Sequence, residues 1–257
     1  MAISVCFAIR LVVRFLREDD IMSELEIVRE LARESLTAAA STVELGAFLW
    51  ERAQRLVRNA EYICQLPELG EAGLQVDRFC LVSAAYFSGA GLARYAGGKG
   101  LGAKSGLNDV NDDDLLELSV QVAEQKLAGA IEKSRIEKIT RIITESGSYF
   151  TRMAEAMVLS DARNLDDMGL VGILNEYGRY ICRGKGVSDI LKSWQRKKDY
   201  RYWQARLEEG FRFPPVRKLA EQRLCTAEEF MDHLNMEAAG RDLEGLVVRS
   251  ADGKISR

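Results

Sequence analysis

Residues 161–173 read Asp161-Ala162-Arg163-Asn164-Leu165-Asp166-Asp167-Met168-Gly169-Leu170-Val171-Gly172-Ile173. Three carboxylates are followed by two glycines three residues apart, and the run continues from Met153–Ser160, which reads as a helix. Aspartates and glycines predict that this helix stops between Asp161 and Gly169. Working outward, both flanks are helical. On the N-terminal side, Leu25, Val28, Leu31 and Ala32 keep a three-to-four spacing, as do Leu45, Leu49, Leu56, Ala60 and Ile63. Nearer the run, Leu115, Leu118, Val122, Leu127 and Ile131 form one stripe, and Ile136, Ile139, Ile142 and Ile143 another. On the C-terminal side, Ile190–Glu209 reads as one amphipathic helix carrying Trp194, Tyr200, Tyr202 and Trp203. Pro214-Pro215 separates it from a last helix, Val216–Ala239, closed by Gly240.

Between these helices the breaks are equally local. Gln65-Leu66-Pro67-Glu68-Leu69-Gly70 ends one helix, and Asp77 is placed to cap the apolar run Phe79–Phe87. The glycine-rich stretch Ala90–Ser105 predicts a loop, and Asn108–Asp114 an acidic helix start. No βαβ alternation, internal repeat or long linker interrupts the series. The expected fold is therefore all-α, a single-domain helical bundle over residues 22–240, preceded by an apolar, basic segment 1–21 and followed by a polar tail 241–257.

Composition narrows the chemistry. The chain has 257 residues, 47% apolar, with 36 Lys+Arg against 39 Asp+Glu for a net charge of −3. That balance gives no general attraction to nucleic acid or anionic membrane. Five scattered cysteines, Cys6, Cys64, Cys80, Cys182 and Cys225, contain no CxxC, which argues against a disulfide framework and for a reducing, cytoplasmic setting. The single histidine, His233, excludes any site that needs two from one chain. Ile3–Leu16 is interrupted by Arg10 and Arg14, too short and too charged to span a membrane stably. Its charges lie inside the apolar run rather than before it, unlike a secretory signal. A locally packed or frayed helix is expected, with an interfacial helix as the alternative. Met22-Ser23-Glu24-Leu25 would itself open a protein well, so whether residues 1–21 belong to the native chain stays open.

Three sequence features call for a functional test against a plainer explanation. Gly98-Lys99-Gly100-Leu101-Gly102-Ala103-Lys104-Ser105 approaches the nucleotide loop G-x4-G-K-[ST], but Ala103 stands where the second glycine belongs and a helix, not a strand, precedes it. An ordinary loop is the better account. His233, with Phe230, Met231, Leu234 and Met236 nearby, reads as a packing or surface residue. The basic run Lys192–Arg201 interleaves aromatics as an RNA-binding helix would, yet Glu208, Glu209 and Glu221 lie close in sequence, which favours a solvated amphipathic face.

The opening run has the strongest pull. It resembles the D-A-D-x-L-D-x-x-G-x-x-G-I motif of HD-domain metal-dependent phosphohydrolases, where the first aspartate is the last metal ligand. Two further stretches fall in the family's order. Arg52-Ala53-Gln54-Arg55-Leu56-Val57-Arg58-Asn59-Ala60-Glu61-Tyr62-Ile63 resembles H-x-x-R-V-x-x-x-A-x-x-I, with the histidine replaced. Ala84-Ala85-Tyr86-Phe87-Ser88-Gly89-Ala90-Gly91 resembles A-A-L-L-H-D-I-G, with the His-Asp pair replaced. Arg217–Arg223, with Phe230, Met231 and Leu234, resembles the closing helix of the family's bacterial branch, so the likeness covers about Leu49–Gly240.

In active members two histidines and two aspartates hold a divalent metal that activates water. The resemblance assigns those four places to Arg52, Ser88, Gly89 and Asp161. A guanidinium offers no lone pair, glycine has no side chain, and neutral serine is a poor ligand. The expectation is therefore no metal, no cofactor and no catalytic residue. Arg52 would supply the counter-charge that a buried Asp161 loses with the cation, through an Arg52–Asp161 ion pair. Arg52, Arg55 and Arg163 form a candidate anion-binding set. The implied function is an inactive HD-domain-like binding, scaffold or regulatory module, with an unknown protein partner or a small anionic ligand. The alternative is a rebuilt phosphohydrolase acting on a nucleotide or another phosphorylated small molecule; nucleic acid is disfavoured, and a homo-oligomer stays open.

Overall fold

A computed structural model describes residues 24–38, 43–71, 73–99, 111–181 and 184–244. The protein is all-α, as expected, with no strand among the described residues. Those residues divide into two compact units, with the boundary between Arg163 and Asn164. Segment 1–21, the tail beyond 244, Cys6, Cys182 and the lysine-serine end of the glycine-rich stretch lie outside the described residues.

The first unit begins with α1 (24–38) and α2 (Val43–Ile63), followed by the short α3 (Pro67–Glu71) and then α4 (Arg78–Phe87). Helix α4 is apolar around most of its circumference and buried accordingly, from Phe79 through Ala85 and at Phe87. Asp77 caps it as predicted, its Oδ1 accepting from the Cys80 N–H at 3.0 Å. Helix α4 packs on α2 and on α7 (Lys133–Glu145), where Ile139, Ile142 and Ile143 are fully buried. Trp50 of α2 stacks on Tyr86 of α4 with centroids 5.6 Å apart.

Ala90–Lys99 is a helix, α5, and not the loop that its glycines predict. Its stability comes from contact with α6 (Asp112–Leu127) rather than from propensity. At Gly91 the backbones come so close that a Cβ would lie 2.0 Å from the Leu115 carbonyl oxygen. The Gly91 N–H donates to Ser119 Oγ at 2.9 Å. On α6 it is Leu116, Val122, Ala123 and Leu127 that are buried, while Leu115 and Leu118 of the predicted stripe are half-buried.

Helix α8 (Ala154–Asp167) ends within the expected interval 161–169, late enough that Asp161 lies inside the helix. The break comes at Gly169, whose φ of +83° only glycine adopts freely, and α9 (Leu170–Ile181) follows. The expected long helix over Ile190–Glu209 is two, α10 (Val187–Asp199) and α11 (Tyr202–Glu209). They are split at Arg201, which takes a left-handed φ of 53°. Pro214 and Pro215 occupy the first turn of α12 (Pro214–Ala238), where proline lacks no needed N–H.

In the second unit α10 packs on α9, α11 and α12 around Ile190, Trp194, Trp203, Phe211 and Phe213. Arg206 is its polar hub. One guanidinium nitrogen reaches Asp167 Oδ2 at 2.8 Å and Asn164 Oδ1 at 2.9 Å, and the other reaches the Tyr202 hydroxyl at 2.7 Å. Burial lowers the Arg206 pKa, but Asp167 and Tyr202 outweigh it and leave the cation favoured. Among the described residues no helix is long and apolar enough to cross a membrane.

Candidate functional site

The four positions named by the sequence motifs sit on α2, at the end of α4, and on α8. Helix α2 buries Leu49, Ala53, Leu56, Val57, Ala60 and Ile63, a stripe that fixes its rotation. Arg52 and Arg55 flank that stripe, both half-buried. Seven residues beyond Arg52, and so on nearly the same face, Asn59 Nδ2 donates to the Ala162 carbonyl of α8 at 3.3 Å. This bond ties α2 to α8 next to Asp161.

Helix α8 is buried on most sides, which makes its polar residues informative. It carries three buried carboxylates, Glu155 (4% exposed), Asp161 (0%) and Asp166 (2%). A buried carboxylate needs a cation or several donors. Glu155 Oε1 accepts from the Asp77 N–H at 2.8 Å and from Lys138 Nζ at 2.9 Å. Asp166 acts on Arg223, partly offsetting the burial that lowers that guanidinium's pKa. Asp161 and Arg52 are each engaged in further interactions of the fold, as are Arg55 and Arg163.

Arg163 faces elsewhere. Two residues after Asp161, it lies about 200° around the helix. Its Nη1 donates to Ser146 Oγ at 3.2 Å. Ser146 ends α7, so the guanidinium sits where a helix C-terminus favours a cation. The arginines proposed as one anion set therefore occupy two helices, and Arg163 has a structural role at the α7 terminus.

Ser88 is the C-cap of α4, with its Oγ donating back to the Ala85 carbonyl at 2.9 Å. Its own carbonyl accepts from Ser119 Oγ at 3.1 Å. Gly89 is half-buried, and a Cβ built there would meet only Leu36 Cδ2, at 3.9 Å. A side chain could therefore begin at 89 without overlap, in ordinary contact with Leu36. A divalent metal does not fit these residues: a guanidinium, a hydroxyl bonded to its own helix, a glycine and one carboxylate supply no set of donors. Among the described residues no three His, Cys, Asp or Glu side chains come together as metal ligands.

Other reactive side chains are quiet. Burial pushes the Cys64 thiol up to about 11 and the Cys80 thiol up to about 12, so both stay protonated near neutrality. His233 is exposed on α12. In the basic run, Lys197 is held by Glu176 at 2.5 Å and lies 5.1 Å over the Trp203 ring, while Lys192 and Arg196 face solvent.

Local patterns could not reveal the Asp77–Lys138–Glu155 cluster, whose Asp77 and Glu155 are 78 residues apart. Burial raises the Asp77 carboxyl pKa, but hydrogen bonds from Cys80 and Lys138 outweigh it and leave it below 3.8. Asp77→Ala is expected to destabilise by about 1 kcal/mol at pH 7 through the lost cap. Because the folded pKa is depressed, the carboxylate's contribution is full above about pH 4. It fades as pH falls through the lowered folded value. Urea midpoints for wild type and variant should therefore differ at pH 7 and converge toward pH 2. Asp77→Asn, which keeps a capping acceptor, should recover most of the loss at pH 7.

No family model and no curated protein matches the chain. Its fold is similar to that of Bacillus subtilis YpgQ solved in complex with ADP. The identity is 21% and the TM-score 0.54, covering 84% of this chain and 96% of that one. A selenomethionine form of YpgQ is similar at 19% identity and TM-score 0.54, covering 84% and 95%. At these identities the likeness is one of fold.

Proposed function

We propose that the chain is an HD-domain-like module that has exchanged its metal for an internal ion pair and acts by binding, as a scaffold or regulatory partner, without catalysis. The supporting observation is Asp161, fully buried on α8. Its two companion carboxylates on that helix already face cations, Lys138 and Arg223. Arg52 is the cation that the motif alignment offers to the third. The Asn59–Ala162 bond brings α2, the helix that carries Arg52, against α8 beside Asp161. Free cysteines at positions 64, 80 and 225 agree with a reducing, cytoplasmic setting.

A second reading, binding of a small anionic ligand such as a nucleotide, draws on the small residues Ser88 and Gly89 at the end of α4 and on the YpgQ neighbour solved with ADP. One set of measurements separates these from the rebuilt phosphohydrolase. Metal analysis of the purified protein, with a phosphatase screen in manganese and magnesium, should find neither stoichiometric metal nor turnover; finding both would overturn the binding-module proposal. Thermal shifts with ADP and other nucleotides then decide the second reading. A saturable stabilisation that Arg55→Glu abolishes supports it, and no shift with any nucleotide removes it.

A further inference from the structure

We infer that a groove between α6 and α7 is the docking site of this chain's own residues Ile3–Arg17. The groove has a volume of about 360 Å³ and is lined by Asp113, Leu116, Glu117, Val120 and Thr144. Leu116 and Val120, one helical turn apart, give it an apolar floor; Asp113 and Glu117, likewise one turn apart, give it an exposed acidic edge. Among the described residues neither carboxylate has an ion-pair partner.

The occupant this chemistry calls for is an apolar segment with a cationic row. Ile3–Arg17 is apolar, and Arg10, Arg14 and Arg17 recur at the three-to-four spacing of one helical face. Phe7, Leu11 and Phe15 recur every four residues beside them. A helix of that segment would match acid to arginine and aliphatic to aromatic at the same one-turn interval found on α6.

The tether is long enough. Glu24, the first residue of α1, pairs with Arg135 in the first turn of α7. From Arg135 to Thr144 is nine residues of helix, about 13.5 Å. The seven residues from Arg17 to Glu24 can span up to roughly 24 Å. Docking within one molecule therefore proceeds at a high effective concentration, and weak individual contacts suffice.

Hydrogen exchange on the full chain tests this, with a free peptide of residues 1–22 as reference. Amides of residues 9–16 are expected to exchange at least about tenfold slower in the protein than in the peptide. Asp113→Lys/Glu117→Lys should remove the protection, as should Arg10→Glu/Arg14→Glu, and the four substitutions together should restore it. Circular dichroism melts confirm that these exposed replacements leave the fold intact. Absence of protection in the wild type overturns the inference, and so does protection that the α6 charge reversal leaves untouched. Protection that grows with protein concentration assigns the segment to a second copy and overturns docking within the chain.

Discussion

Gly91→Ala should destabilise the protein by about 4 kcal/mol, made up of backbone overlap of about 3 and one lost hydrogen bond of about 1. The added Cβ would lie 2.0 Å from the Leu115 carbonyl oxygen and 2.8 Å from the Ser119 N–H nitrogen. Both are backbone atoms, so no flexible side chain can yield. Relief requires α5 and α6 to move apart, which also breaks the Gly91–Ser119 hydrogen bond at 2.9 Å. Since the same Ser119 hydroxyl reaches the Ser88 carbonyl, the end of α4 would be released with it. A melting temperature about 10 °C lower is the expected reading. Gly178→Ala is the matched control. Gly178 lies within α9 and a Cβ there meets nothing within 4 Å, so helix propensity alone should act, a gain of about 0.5–1 kcal/mol. Equal effects at the two positions would show that α5 does not depend on its close approach to α6.

The second large effect belongs to Arg52. If its guanidinium is the counter-charge of Asp161, Arg52→Ala leaves a fully buried carboxylate uncompensated and should cost about 3–5 kcal/mol. Asp161→Ala should be comparably severe, because it strands the cation. The double replacement Arg52→Met/Asp161→Leu should lie much closer to wild type than the sum of the two losses, since an apolar pair of similar volume removes both desolvation penalties. Chemical denaturation of wild type, Arg52→Met, Asp161→Leu and the double replacement measures the coupling. A coupling energy within about 0.5 kcal/mol of zero would mean that the two residues act independently, and the ion-pair account would fall.

Where patterns are local, the sequence was readable. The burial stripe of α7, the Asp77 cap and the Gly240 stop all follow from neighbours within a turn or two. What escaped was decided at a distance. Helix α5 is rich in glycine and forms because α6 packs against it. The split at Arg201 rests on a single left-handed residue that is not glycine, which no propensity announces. At the site, motif spacing pointed to Arg52, Ser88, Gly89 and Asp161, but it could not foresee the bond from Arg163 to Ser146 at the end of α7, which links residues 17 apart in sequence.

Gly169 and Gly172 were the residues that made the opening run recognisable, and both have a steric explanation. Gly169 takes a φ of +83° with Arg223 Cβ 2.9 Å from where its own would stand, and at Gly172 a Cβ would fall 2.0 Å from the Asp167 carbonyl oxygen. Any chain that turns from α8 into α9 in this way must keep hydrogen at both places, whatever it binds. The spacing is thus a requirement of shape. The same two glycines would be required of a chain with any ligand or with none, so their spacing describes a turn and is silent about what the protein binds.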